Sequence, residues 1–277
     1  MKRYKNHPLS LVLFLLVNLA AVITAVVVLF LLGYILWHGV PNLSLPGIFA
    51  WEYNGENQSM TPAIINTLIM TALTLLLAVP IGVFAAIYLV EYAKKGSKLV
   101  KLIRVTAETL AGIPSIVYGL FGFIVFVITL GWSYTLIAGV ITLSIMILPL
   151  IIRTTEEALM AVPDSFREGS FGLGAGKLRT VFHIVLPSAV PGIAAGIILA
   201  IGRIVGESAA LIFTSGTNPV VAKGLFTSAS TLSVHLYALL TEGLYTEQAY
   251  AVAAVLLFLV IGINALSSVA AKKLTAK

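Results

Sequence analysis

An all-α integral membrane protein with six transmembrane helices and both termini inside is the fold class this sequence predicts. Three observations carry the expectation. Of 277 residues, 59% are hydrophobic and 10% charged, where a soluble domain carries about a quarter charged, and mean hydropathy is +1.05. Apolar runs recur at about 11–37, 63–90, 112–130, 134–152, 188–213 and 249–271. Finally, 15 of the 17 lysines and arginines fall on one side of those runs.

Each run is judged against the roughly 20 apolar residues a helix needs to cross about 30 Å of hydrocarbon, where only a helix satisfies its own backbone. The first follows Met1-Lys2-Arg3-Tyr4-Lys5, which resembles the basic lead of a secretory signal. The run to Trp37 far exceeds the apolar core of about 7–15 residues of a signal peptide, so an uncleaved first span is expected. The second run carries Asn66, Thr67, Thr71 and Thr74, the threonines on one helical face. They either line a pathway or bond back to carbonyls one turn earlier. The third is broken at its start by Gly112 and Pro114, and its Tyr118, Phe121, Phe123 and Phe126 read as core or lipid-facing. The fifth holds two charged residues, and the sixth leads into Lys272, Lys273 and Lys277.

Basic residues set the orientation. Lys2, Arg3 and Lys5; Lys94, Lys95, Lys98, Lys101 and Arg104; Arg153, Arg167, Lys177 and Arg179; and the three terminal lysines all face one side. By the positive-inside rule that side is cytoplasmic. Across the membrane lies only Lys223, and Arg203 is inside a span. The run 94–104, with Leu99, Leu102 and Ile103 interleaved, reads either as anchoring or as a helix at lipid headgroups. On the outside, 38–62 carries Glu52 and Glu56, and within 214–248 the stretch Val234–Leu240 is expected as a surface or re-entrant helix.

Several function classes are excluded. The net charge of +6 is spent on orientation, which argues against nucleic acid. Cysteine is absent, so there is no disulfide, thiol nucleophile or zinc-thiolate site. His7, His38, His183 and His235 lack ligand spacing, so no metal is expected. Gly172-Leu173-Gly174-Ala175-Gly176-Lys177 imitates a phosphate loop. Phe171 and Leu178 stand where such a loop needs Gly and Ser/Thr, and no strand precedes it. No catalytic grouping is visible, so energy has to come from another protein.

Two places hold the chemistry. In Gly202-Arg203-Ile204-Val205-Gly206-Glu207-Ser208, each charge costs about 2.5–3.5 kcal/mol at mid-bilayer on insertion scales. Helical spacing puts Arg203 and Glu207 one turn apart on one face. Either Arg203 meets an anion on a pathway with Glu207 orienting it, or the two form a structural ion pair. Gly196, Gly202 and Gly206 are expected to admit neighbouring backbones. The second place is the polar island 168–187. There Glu168 opens a turn, Gly174 permits a bend and Leu186-Pro187 ends the segment, a helix–turn–helix.

Glu168-Gly169-Ser170, then three residues to Gly174, then nine to Ile184, Leu186 and Pro187 resembles the docking loop of ATP-binding-cassette (ABC) importer permeases. That loop reads E-A-A, three residues, G, nine residues, I-x-L-P; here two small residues replace the alanines. Further stretches are Ala111–Leu120, Leu148–Leu159 with its R-T-T-E-E-A-L, and Arg203–Ala209. Together they resemble the A-type permease subunits of bacterial phosphate-specific (Pst) ABC transporters. The family's G-E-T-A-P is Gly206-Glu207-Ser208-Ala209-Ala210 here, so the proline is lost.

The resemblance implies a type I importer (MetI-like) permease in the bacterial inner membrane. A tail, first helix and outer loop over 1–62 would precede a five-helix core over 63–277, with a coupling segment at 156–187. It implies a C-type sibling permease, two cytoplasmic ATPases that use ATP and magnesium, and an external phosphate-binding protein. This chain, surrounded by membrane lipid, would bind no cofactor and catalyse no reaction. Arg203, Glu207, Thr67 and Thr71 would line the phosphate pathway; Glu168, Gly169, Ser170, Gly174, Ile184, Leu186 and Pro187 would couple to the ATPase. Other readings are a permease for sulfate, molybdate or tungstate, the C-type sibling, a secondary transporter or channel, and a membrane enzyme. A secondary transporter predicts inverted repeats with broken helices, and none is seen.

Overall fold

A computed structural model describes residues 8–54, 57–94 and 96–275, all of whose regular structure is helical. Lys2, Arg3, Lys5, His7, Glu56, Lys95 and Lys277 lie outside the described residues. In chain order the helices are α1 (Pro8–Gly39), α2 (Thr61–Ile87), α3 (Lys98–Ala111), α4 (Ser115–Gly122) and α5 (Leu136–Met160). They continue with α6 (Asp164–Gly172), α7 (Lys177–Thr180), α8 (Leu186–Val205), α9 (Ala209–Thr214), α10 (Leu232–Glu242) and α11 (Thr246–Thr275).

Five helical stretches are long and apolar enough to span: α1, α2 with its tail, α5, α7 through α8, and α11. The expected third span, 112–130, corresponds to the stretch Ser115–Thr129, which meets α3 at 102° and is long enough only together with it. The described residues therefore hold five spans, or six if this bent pair counts as one. Gly112 caps α3 and Pro114 precedes α4 in extended conformation. Proline cannot donate to the preceding turn and pushes its neighbour out of the helical region, so the break falls where the sequence places it.

Helix α5 is the axis of the bundle, contacting α2, α8, α3, α4 and α9. Its buried face comprises Leu136, Val140, Leu143, Ile147 and Ile151, an i, i+4, i+7 stripe that packs with Met70, Ala78, Ala200 and Ile204. Small residues bring the neighbours close. A Cβ on Gly82 would lie 2.6 Å from Ile151, and one on Gly196 2.6 Å from the Thr154 Cβ. Overpacking of that kind costs about 1–3 kcal/mol. Gly202 and Gly206 do not serve this way: the nearest atom to a Cβ on Gly202 is 3.9 Å away, and Gly206 caps α8. Helix α1 packs along α11, and the side chains of its apolar window are exposed, as suits a helix facing lipid.

The outer segment is sewn to the bundle by polar groups. Buried Asn66 donates to the carbonyls of Val220 and Ser230, at 2.9 and 3.1 Å, and accepts from the Ala222 amide at 3.0 Å. The unpaired amides at the start of α5 find carbonyls of this segment: Thr135 donates to Thr214, Leu136 to Thr227 and Ile137 to Leu225. Val234–Leu240 lies within α10, whose first turn is buried. The Ser233 hydroxyl donates to the Val205 carbonyl at the end of α8. The helix therefore dips into the bundle rather than resting on its surface.

Candidate translocation and coupling site

Where α8 ends, the expected Arg203–Glu207 pair does not form. Helix α8 stops at Val205, Gly206 caps it, and the chain turns before α9. Without helix between them, i, i+4 spacing no longer places both side chains on one face. Glu207 is buried, and its Oε1 accepts from the Ala210 amide at 3.1 Å. A carboxylate at an amide-rich helix start is well placed, and two flanking glycines weaken the helix enough to allow the break.

Arg203 goes elsewhere. It lines a cavity of about 470 Å³ between α3, α5 and α8, with Arg104, Glu108, Arg153, Thr154 and Glu157. Arg153 meets Glu157 at 3.0 Å on an exposed face, and Arg104 meets Glu156 at 3.2 Å. Among the described residues no carboxylate lies within ion-pair distance of Arg203. A guanidinium can hold an oxyanion through two parallel hydrogen bonds from its planar fork.

Thr67 and Thr71 are not on this wall. Both are buried and donate one turn back, to the carbonyls of Ala63 and Thr67, at 2.7 Å each. Thr67 also accepts from the Leu232 amide at 2.8 Å, so its hydroxyl holds α10. Phe126 and Tyr118 are buried, whereas Phe121 is half-exposed.

Below the cavity, 156–187 folds as the end of α5, helix α6, a turn and the start of a long helix. Glu168 and Gly169 are exposed in the middle of α6, so Glu168 does not open a turn. The turn comes at Gly174, whose φ of +83° favours glycine. The Ser170 and Thr180 hydroxyls, 2.8 Å apart, hold the two arms together. Nor does Leu186-Pro187 end the segment. Exposed Ile184, half-buried Leu186 and exposed Pro187 belong to one helical run, Lys177–Val205. A π-helical turn, Val181–Val185, lies where the amide that Pro187 lacks would have donated, and this widened turn accommodates the ring.

Two further features shape this segment. Arg167 donates to Glu91 at 2.7 Å, to Asp164 at 3.2 Å, and to the carbonyls of Leu159 and Val162 at 2.9 and 2.8 Å. It thereby rivets α6 to both the end of α2 and the end of α5. Phe166, Phe171, Leu173 and Leu178 are exposed around the lever, Leu173 at 92%. Exposed apolar patches of this kind are common at protein and membrane interaction sites. The aromatic residues were readable in an otherwise polar island, but a pair 76 residues apart was not.

A family model described as "Binding-protein-dependent transport system inner membrane component" matches residues 78–275. The chain belongs to this family. It is therefore an integral permease component of a binding-protein-dependent transporter in the inner membrane, a translocation subunit rather than an enzyme. Such permeases act with a partner permease, an ATPase and a substrate-binding protein. A probable ABC transporter permease protein, YqgI of Bacillus subtilis, is 35% identical over 247 residues, 83% of each chain. The phosphate transport system permease protein PstA of Mycobacterium leprae is 34% identical over 80% of this chain and 72% of its own. That of Yersinia pestis is 35% identical over 79% and 77%. Among solved structures, a bacterial alginate ABC transporter superposes with a TM-score of 0.72 at 16% identity, covering 99% of each chain. An inward-facing MetNI methionine ABC transporter gives 0.61 at 20% identity, covering 87% of this chain and 97% of its own. At those identities the two structures speak to the fold, which is that of ABC importer permeases.

Proposed function

We propose that this permease is the A-type half of an importer that moves inorganic phosphate into the cell. The observation that carries the proposal is Arg203, a guanidinium without a carboxylate partner among the described residues, on the wall of a cavity between α3, α5 and α8. The relatives named for phosphate transport support phosphate over sulfate, molybdate or tungstate, which one arginine cannot separate by shape. A C-type sibling completes the pathway, an external protein delivers phosphate, and two cytoplasmic ATPases supply the energy. The chain itself holds no cofactor; ATP and magnesium belong to the ATPases.

In this reading the ATPase grips the apolar knob around Phe166, Phe171 and Leu173, with Glu168, Gly169 and Gly174 on the same lever. When the ATPases close, α6 moves. Because Arg167 holds Glu91 and the Leu159 and Val162 carbonyls together, α2 and α5 move with it. The cavity then changes access around Arg203, and a transported anion exchanges water for the guanidinium fork. Coupling requires that the two access states differ in contact energy; Arg203 supplies such a contact.

Uptake of radiolabelled phosphate by the assembled transporter tests this. A hydrogen bond to a charged group contributes about 1.5–3 kcal/mol, so Arg203→Ala should slow uptake by roughly tenfold to a hundredfold while ATPase co-purification persists. Uptake at the wild-type rate would remove Arg203 from the pathway. Competition by excess sulfate as strong as by phosphate would reassign the substrate.

A further inference from the structure

A second cavity, of about 610 Å³, opens between the end of α2, helix α3 and the coupling lever. Its charged lining is Glu91, Lys94, Arg104, Asp164, Arg167 and Lys177. The arginines are committed, Arg167 to Glu91 and Asp164, and Arg104 to Glu156. The lysines are not: among the described residues neither Lys94 nor Lys177 reaches a carboxylate. Lys177 Nζ sits 5.1 Å above the Tyr92 ring. Two ammonium groups from different elements therefore share a cavity within the usual small-molecule range of about 300–1,000 Å³, and neither is in an ion pair among the described residues.

The depth of this cavity identifies the class of anion. Tyr88 and Tyr92, at the end of α2, are exposed, and tyrosines concentrate at the headgroup level of a bilayer. Helix α3, which forms another wall, exposes Leu99, Leu102 and Val105 beside exposed Lys98 and Lys101. A basic helix with an apolar stripe lies in the interface with that stripe among acyl chains. The mouth of the cavity thus stands where the cytoplasmic leaflet presents its phosphates.

We propose that this cavity binds the phosphate group of an anionic lipid headgroup, held by Lys94 and Lys177, with Val100 on the cavity face of α3 beside it. A lipid bound there touches α2, α3 and the lever at once. Its presence ties the lever to the spans, so anionic lipid raises the transport obtained per ATP hydrolysed. The shared chemistry is a phosphate group, which free cytosolic phosphate also carries; the position of the cavity favours the lipid. This inference is independent of which solute the transporter moves.

The test uses the whole transporter, permease pair with ATPases, in nanodiscs of phosphatidylcholine with or without phosphatidylglycerol. Native mass spectrometry reads the retained lipid, and paired ATPase and transport assays in liposomes of the same lipids read the coupling. Wild type should retain phosphatidylglycerol over phosphatidylcholine. Each lysine near a membrane surface contributes enough that Lys94→Gln should weaken retention about fivefold, and Lys94→Gln with Lys177→Gln about twenty-five-fold. Lys94→Arg, which keeps the charge, should retain the lipid and shows that the loop tolerates substitution. Equal retention of the two lipids by wild type, or unchanged retention by the double variant, overturns the proposal. Displacement of phosphatidylglycerol by inorganic phosphate, with the same rise in coupling, assigns the site to the soluble anion and overturns the lipid assignment.

Discussion

Arg167 joins α6 to the ends of two other helices. It is 15% exposed and its partner Glu91 9%, so neither charge has much water to fall back on. Breaking a buried pair by removing one partner costs about 3–5 kcal/mol, because the other charge is left behind. Arg167→Gln should therefore loosen α6 from α2 and α5 while leaving the exposed docking knob unaltered. The expected outcome is an assembled transporter whose ATP hydrolysis continues while uptake falls at least tenfold, measured as solute moved per ATP. A variant with the wild-type ratio would show that the rivet does not transmit force. Sequence alone could not single out Arg167, which reads as one more cytoplasmic cation; only folding brings Glu91 to it. Arg203 was legible for the opposite reason. A charge inside an apolar run is costly wherever its partners lie, so its oddity is local. Glu207 is not its partner, because i, i+4 spacing brings side chains together only along a continuous helix and this one ends at Val205.

At the scale of elements, the apolar runs located the spans because burial in lipid demands length and hydropathy, both local properties. What they could not locate were changes of helical register: the π-helical turns at Tyr88–Tyr92, Phe123–Thr129 and Val181–Val185, and the break before α9. These depend on which neighbours press against each turn. The outer element α10 carries a consequence for pH. His235 is buried with Nε2 3.4 Å from the Gln58 carbonyl, and burial lowers its pKa from 6.5, partly opposed by that hydrogen bond. The folded state therefore binds the proton less readily than the unfolded chain does. Its stabilising contribution is complete above the unfolded value near 6.5 and declines as pH falls toward the folded value. Hydrogen exchange over 232–242 should accelerate between about pH 8 and pH 5 beyond the intrinsic pH trend, and His235→Gln should flatten that difference. An unchanged profile in the variant would show that another group governs the outer segment.

For the whole molecule, the decisive property is incompleteness. Arg203 lines a cavity, Phe166, Phe171 and Leu173 are exposed, and permeases of this family act with a partner permease, an ATPase and a substrate-binding protein. The purified chain alone in lipid vesicles should pass no phosphate down a gradient, and reconstitution with a sibling permease, ATPases and binding protein should give ATP-dependent uptake. Gradient-driven flux through the chain by itself would contradict the family's mode of action.

An all-helical membrane bundle was written along the chain, because solvation by lipid or water acts on each residue where it stands. Folding decided the rest: that Glu207 serves a helix start, that Thr67 and Asn66 hold the outer segment, and that Arg167 joins three helices. Those roles arise from proximity between residues far apart in sequence, and such proximity has no local signature.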